Sequence, residues 1–335
     1  MIIRAENFKS LVAVRRHQII HIPIMVLRKP ISESCQKQYP KSICIVCDYK
    51  FKEHNIQFAN NIKAVCHPFR DDSIFKGNIK KYLFSESDFC SKWITETKYK
   101  MSQWGKKRYD FVYFTLFSRH GIHCKGTYML SLIDHVARLL NLRGLVVNYD
   151  IKDDNKKYSQ QIYIDAEKRI HNFVDGHKYT NLHIKNKCFS SQEVCAIMKS
   201  CKFVIFPNVA DASPRLLTEA IVRNVPVVVN EDIYGGWKYV EHNTGRFFKG
   251  PTLKEFVQRK DSSIYIHSLK NAVKEVLTIN PQKVAATFYK QYGFVRASKK
   301  LASIINEVCN KKYKAVAFKE WEKVLRNVAY AKHWI

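Results

Sequence analysis

The sequence predicts an α/β fold built on parallel sheets, and three observations carry that prediction. Short apolar runs rich in β-branched residues alternate with longer stretches whose apolar residues recur at helical spacing. Residues 201–248 contain a complete strand, loop, helix and strand, a crossover unit that requires parallel pairing. The chain has 335 residues, enough for two domains at roughly 100–200 residues each. A 46% hydrophobic and 13% aromatic composition supplies ample core material for both.

The elements follow in order. Residues 19–27, 43–47 and 61–65 read as strands. Residues 87–105 read as a helix, opened by Ser85 or Ser87, closed by Gly105, with Trp93, Ile94 and Met101 on its apolar face. Together these form a short first α/β domain over residues 1–105. Residues 111–117 are the next strand, followed by a helix over 127–142 with Leu130, Ile133, Val136, Ala137 and Leu140 at helical spacing. A strand at 145–148, a helix at 158–173 and a strand at 182–184 come next. Ser190-Ser191-Gln192-Glu193 has the pattern of a capping box ahead of Val194, Ile197 and Met198. Residues 203–206 are a buried strand, and a polar loop with Asn208, Asp211 and Ser213 follows. Pro214 starts a helical pattern with Leu216, Leu217, Ala220 and Ile221 on one face; residues 225–229 are the next strand. Gly235-Gly236 marks a turn, and residues 243–248 a turn and short strand. Helices are expected at 268–277, 281–289, 298–309 and 317–328, the last with Phe318, Trp321, Val324 and Leu325 as its apolar face. The second domain spans 106–312, and residues 313–335 form a helix that returns to the first domain.

Composition bounds the function. No apolar run approaches the roughly 20 residues of a membrane span, and no signal peptide is expected at the N-terminus. The net charge is +28. That excess suits a phosphorylated substrate, an anionic membrane surface or nucleic acid; spread along the chain, it also suits a solvated lysine-rich surface. Of the ten cysteines, most lie in apolar runs. Cys44 and Cys47 form a CxxC on an apparent strand, where they point to opposite faces and cannot jointly grip a metal. Buried free thiols in a reducing cytoplasm are expected, with peripheral contact at an anionic membrane or polyanion as a possible use of the charge.

The candidate site lies in the polar loop. In parallel sheets, ligands sit at the carboxyl ends of the strands near helix N-termini. Asp211 stands just before the helix there, and Glu219 eight residues later inside it. Taken alone, the pair reads as an N-cap and a solvated helix acid. Earlier in the chain, Arg119 and Lys125-Gly126 lie between a strand and a helix. The run Asp211, seven residues, Glu219-Ala220, then Pro226-Val227-Val228-Val229, resembles the signature of retaining glycosyltransferases of family 4, which have the GT-B fold. Two departures stand out. The first acid is Asp where the family usually has Glu, and Ala212, Ser213 and Pro214 replace its glycines. The segment with Arg119 and Lys125, six apart, resembles the start of that family's donor domain.

The resemblance implies two Rossmann-like domains, the first one abbreviated, and a C-terminal helix crossing back. It implies transfer of a sugar from a nucleoside diphosphate, without a metal, to an unknown hydroxyl acceptor such as a glycan. Arg119 and Lys125 would then face the diphosphate, where fixed cations stabilise the charge that builds on the leaving group. Asp211 would hold hydroxyls of the donor sugar and Glu219 those of the ribose, since one carboxylate can accept two hydroxyl bonds. Asn208 would share the donor pocket. Backbone amides of Ala212, Ser213 and Arg215 would line the diphosphate or sugar, while Pro214 donates nothing. The family's histidine near the donor sugar has no clear match; His54 and His67 are available but sit in no matching motif. Two other readings stay open: a nucleotide-sugar or glycan binder without turnover, and a transferase acting on nucleic acid.

Overall fold

The computed structural model describes residues 13–15, 18–20, 24–27, 43–46, 56–57, 62–90, 109–118, 120–148, 165, 168, 170, 181–258 and 262–309. The chain forms two compact units, Met1–Ile94 with Gln291–Ile335, and Thr95–Lys290.

In the first unit β1 (Ala13–Arg15) and β2 (Gln18–Ile20) pair antiparallel. A four-stranded parallel sheet follows, made of β3 (Ile24–Leu27), β4 (Ile43–Val46), β6 (Ala64–His67) and β8 (Lys80–Leu83) in the order β3-β4-β6-β8. A short parallel pair joins β5 (Ile56–Gln57) to β7 (Phe75–Lys76). The single strand expected over 19–27 is therefore two strands in different sheets. Pro23 lies between them, and with no N–H and a fixed φ it cannot continue a ladder. The strand expected at 61–65 lies a few residues later. β8 was not anticipated: Lys80 and Lys81 occupy an edge position, where exposed lysines blunt further pairing and hide the strand pattern. Ser85 does open a helical turn, Glu86–Phe89, in a capping box with Asp88, but that turn is a short 3-10 helix. The rest of the helix expected up to Gly105, with Trp93, Ile94 and Met101, lies outside the described residues. So does Cys47, whereas Cys44 is a buried free thiol on β4.

The second unit holds a six-stranded, all-parallel sheet. Its strands are β9 (Phe111–Thr115), β10 (Gly144–Asn148), β11 (Leu182–Asn186), β12 (Phe203–Phe206), β13 (Val227–Asn230) and β14 (Gly245–Phe248). Their spatial order is β11-β10-β9-β12-β13-β14. From β9 the chain winds outward one way through β10 and β11, then the other way from β12 to β14. This is the doubly wound order, and its switch point lies between β9 and β12, where crevices for ligands form. β9, β10, β12 and β13 are buried throughout, as strands covered on both faces must be.

The crossover after β9 starts with a π-helical turn, Gly121–Lys125, and a 3-10 turn, Thr127–Met129, before α1 (Leu130–Leu139). The helix expected over 127–142 is thus shorter. Asn141 takes a left-handed φ of 50°, and the Leu142 N–H donates to the Ala137 carbonyl at 2.8 Å, which closes the helix. α2 (Ser191–Lys199) carries the expected capping box: Ser190 Oγ accepts from the Glu193 N–H at 3.2 Å, and Glu193 accepts from the Ser190 N–H at 2.8 Å. α3 (Arg215–Ile221) bridges β12 and β13. α4 (Leu253–Val257) was not anticipated, although Thr252 and Glu255 form a capping box at its start. α5 (Ser263–Val276) and α6 (Pro281–Gln291) complete the unit, α5 beginning five residues before the expected 268. Of the helix expected over 158–173, residues 165, 168 and 170 are helical and the others lie outside the described residues.

α7 (Phe294–Cys309) belongs to the first unit. Ala297, Leu301, Ile304 and Ile305 form one stripe at helical spacing and pack on Ile43, Ile45, Ala64, Cys66 and Phe84 of the first sheet. Lys300 Nζ donates to the Leu83 carbonyl at 2.9 Å, and Lys80 pairs with Glu307 at 3.0 Å. The sequence-based division, with its boundary at 312, left this helix in the second domain. Residues 317–328, the expected returning helix, lie outside the described residues. Among the described residues no helix is long and apolar enough to cross a membrane.

Candidate functional site

The loops after β9 and β12 flank the switch point and are tied together. Tyr113 on β9 reaches forward, its hydroxyl donating to the Lys125 carbonyl at 2.8 Å. Thr127 Oγ1 donates to the Leu116 carbonyl at 2.9 Å and so accepts from Thr115 Oγ1 at 2.7 Å. The Phe117 N–H donates to Asn148 Oδ1, and Asn148 Nδ2 donates to Asn186 Oδ1, both at 3.0 Å. An amide chain therefore links the ends of β9, β10 and β11 and holds the segment that leads to Arg119. Arg119 itself lies outside the described residues.

Gly126 sits between Lys125 and the helix with φ of 67°. A Cβ there would run into the Pro207 carbonyl. Only glycine lets the π turn approach the β12 loop this closely, and the Val209 N–H completes the seam by donating to the Cys124 carbonyl at 3.2 Å.

This approach delivers Lys125 to Asp211. Lys125 Nζ lies 2.5 Å from Asp211 Oδ2, and the two side chains are only 19% and 12% exposed. Asn208 Nδ2 donates to the same oxygen at 2.8 Å. Asp211 Oδ1 has no hydrogen bond to a described residue. Asn208 is buried, and its Oδ1 is without a partner among the described residues. Asp211 is not an N-cap: that position belongs to Pro214, which makes no side-chain cap bond. A lysine and an aspartate thus converge at the carboxyl end of the sheet, beside the first turn of α3, whose leading amides lack intrahelical partners.

The loop is held from its other side by residues 234–236. The Tyr234 N–H donates to the Val209 carbonyl, and the Gly235 N–H to the Asp211 carbonyl, both at 2.9 Å. A Cβ on Gly235 would collide with the Ala212 carbonyl. The turn expected at Gly235-Gly236 is also the support on which the acidic loop rests.

The other expected residues are spread along the same segment. Ala212 is buried with its carbonyl against Gly235, Ser213 is half-buried, and Arg215 is exposed at the start of α3. Glu219 is half-buried in the middle of α3. Burial pushes its carboxyl above the usual range, against the pull of Arg223 and Arg215. Among the described residues nothing hydrogen bonds to its carboxylate. No group of three His, Cys, Asp or Glu side chains among the described residues is placed to hold a metal ion.

Sequence reasoning missed Tyr113, Thr127, Asn148 and Asn186. A signal existed for one of them: Asn148 ends a valine-rich strand, as buried Asn230 does. A polar residue that terminates a buried strand stands where the ligand crevice opens.

No protein-family model matches the chain, and no curated protein matches it. Solved structures do. A sucrose-phosphate synthase from Thermosynechococcus elongatus aligns with a TM-score of 0.55 at 9% identity, over 83% of this chain and 70% of that one. TarM aligns at 0.52 with 13% identity, over 80% of this chain and 51% of that one. The pneumococcal O-GlcNAc transferase GtfA, solved in complex with UDP and GlcNAc, aligns at 0.50 with 11% identity, over 92% and 65%. The chain therefore spans between half and two thirds of TarM and GtfA. Parallel sheets in both units, with the likeness to these structures, give the chain the α/β fold of GT-B glycosyltransferases, with two Rossmann-like domains.

Proposed function

We propose that the chain is a glycosyltransferase that moves a sugar from a nucleoside-diphosphate donor to a hydroxyl acceptor, such as a glycan, with retention of configuration and no catalytic metal. The observation that carries this reading is the convergence of Lys125 and Asp211 at the switch point of the doubly wound sheet. A cation and a carboxylate side by side suit a donor that carries a diphosphate next to a polyol. The shared fold supports the reading, as does the UDP and GlcNAc held by GtfA, which makes UDP the first nucleotide to test.

The roles follow from the chemistry. When the bond from the anomeric carbon to the diphosphate oxygen breaks, its electron pair leaves with the diphosphate. Lys125 and Arg119 stabilise that charge more in the transition state than in the bound donor. The acceptor hydroxyl forms the new bond to the anomeric carbon and gives up its proton to the departing diphosphate oxygen. Asp211 Oδ1 accepts from a hydroxyl of the donor sugar, while Lys125 and Asn208 fix the carboxylate through Oδ2. Glu219 accepts from both ribose hydroxyls. Amides near Ala212, Ser213 and Arg215 face the anionic part of the donor. In this assignment the second unit binds the donor and the first serves the acceptor.

The test is a titration of the protein with UDP, GDP, ADP and CDP, paired with an assay for nucleotide release from UDP-GlcNAc, for wild type and Arg119→Ala. Saturable binding of one nucleotide, weakened in the variant, with acceptor-dependent release, is the expected result. Tight binding without turnover would leave a nucleotide-sugar binder. Binding of none of the four would overturn the donor site.

A further inference from the structure

Arg223 lies one turn beyond Glu219 on α3 and is 5% exposed. Its Nη1 donates to the Glu219 backbone carbonyl at 2.5 Å. Its Nε and Nη2 are buried and have no hydrogen-bond partner among the described residues. Buried donors left unpaired cost about 1–3 kcal/mol each, so this guanidinium calls for a compensating interaction. Two polar neighbours are placed to supply it, the Cys195 side chain on α2 and the Glu219 carboxylate one turn away.

We infer that Arg223 is a positioning residue that keeps Glu219 ionised in its half-buried place, without occupying the oxygens Glu219 needs for a ligand. The geometry separates the two tasks. A direct ion pair would take up carboxylate lone pairs, as Lys125 and Asn208 do at Asp211 Oδ2. Arg223 instead binds the Glu219 carbonyl, which fixes the guanidinium close by, and acts on the carboxylate through its field. At short range in a buried setting such a field is strong. A neutral glutamic acid would offer a donor where a ribose diol requires acceptors.

The charged surroundings of Glu219 can be named from each packed element. On α3 itself, Arg223 and then Arg215 oppose the effect of burial. From α2, the Cys195 thiol senses Arg223, Glu219 and Lys199, and burial keeps it above its usual range and so neutral. β12 and β13 bring no ionisable side chain, being Phe203–Phe206 and Val227–Asn230. Of these three cations Arg223 is buried, whereas Arg215 and Lys199 are exposed.

This inference rests on the reading of Glu219 as a donor-binding residue, and its test keeps the two apart. Arg223→Met removes the charge and leaves an apolar side chain of similar length; Arg223→Gln is the second neutral variant, and Arg223→Lys keeps the charge. The Glu219 carboxyl titration is followed by carbon-13 NMR in the ligand-free protein, with Glu219→Gln to assign the signal. UDP, GDP, ADP and CDP affinity is measured across pH in the same proteins. The neutral variants are expected to move the Glu219 midpoint to higher pH and to weaken nucleotide binding about tenfold near neutral pH, with Arg223→Lys close to wild type. An unchanged Glu219 midpoint in both neutral variants would overturn the inference. A shifted midpoint with nucleotide binding indifferent to Glu219→Gln would uphold the coupling and overturn the donor role of Glu219.

Discussion

Lys125 and Asp211 are 86 residues apart, yet Lys125 Nζ rests 2.5 Å from Asp211 Oδ2. The two follow β9 and β12, neighbours that diverge at the switch point, so the pair marks where the two halves of the sheet part. Lys125→Met should lower the proposed transfer rate about a hundredfold, the scale for removing one fixed charge-stabilising group. Because it strands a largely buried carboxylate, it should also destabilise the protein by about 1–3 kcal/mol. The double variant with Asp211→Asn should lose less stability than the two single losses added together, as contacting residues do. Thermal unfolding of the three variants and nucleotide release from the donor check both parts; strict additivity would show that the pair is not coupled.

Glu219 should separate stability from function. Burial raises its folded-state pKa above the unfolded value, so the native state binds the proton more tightly. Its contribution to stability is therefore largest below the ordinary glutamate range and is lost as pH rises through the window between the ordinary and the raised value. Glu219→Gln should abolish that dependence and match or exceed the wild-type melting temperature at neutral pH. Nucleotide affinity should fall about tenfold in the same variant, as expected for one charged hydrogen-bonding partner lost. Wild-type affinity in Glu219→Gln would remove it from the donor site.

Gly235 bears on the site without touching a ligand. Gly235→Ala would push a methyl group against the Ala212 carbonyl and displace the loop that carries Asp211. A stability loss of about 1–3 kcal/mol is expected from the overpacking, accompanied by weaker nucleotide binding. Equal melting temperatures and affinities for variant and wild type would show that the loop moves aside freely.

The packing of α7 can be tested within the first unit. Leu301 is buried with Ile304 and Ile305 against Ile43, Ile45 and Phe84. Leu301→Ala should cost about 2–5 kcal/mol, read from denaturant unfolding. Leu277, 40% exposed, provides a control substitution that should cost far less. Similar losses at both positions would argue against this packing.

What the sequence determined by itself was local. The unit from β12 through α3 to β13 was legible because a buried strand and an amphipathic helix each write their period into consecutive residues. The Ser190–Glu193 capping box was legible because its two partners sit three residues apart. Lys125, Asn208, Asp211 and Glu219 were legible as separate candidates, through the order in which they occur. Only the tertiary structure decided which of them meet. The Lys125–Asp211 pair, the collision that restricts position 235 to glycine and the packing of α7 on β4 and β6 all join residues far apart in sequence. Their geometry is set by close packing and by the register of a parallel sheet. Periodicity says which face of α7 is apolar; it does not say which sheet that face will cover. The proposed field of Arg223 on Glu219 joins residues only four apart, yet it too depends on folding, because a charge has a large effect on its neighbour only once both are buried.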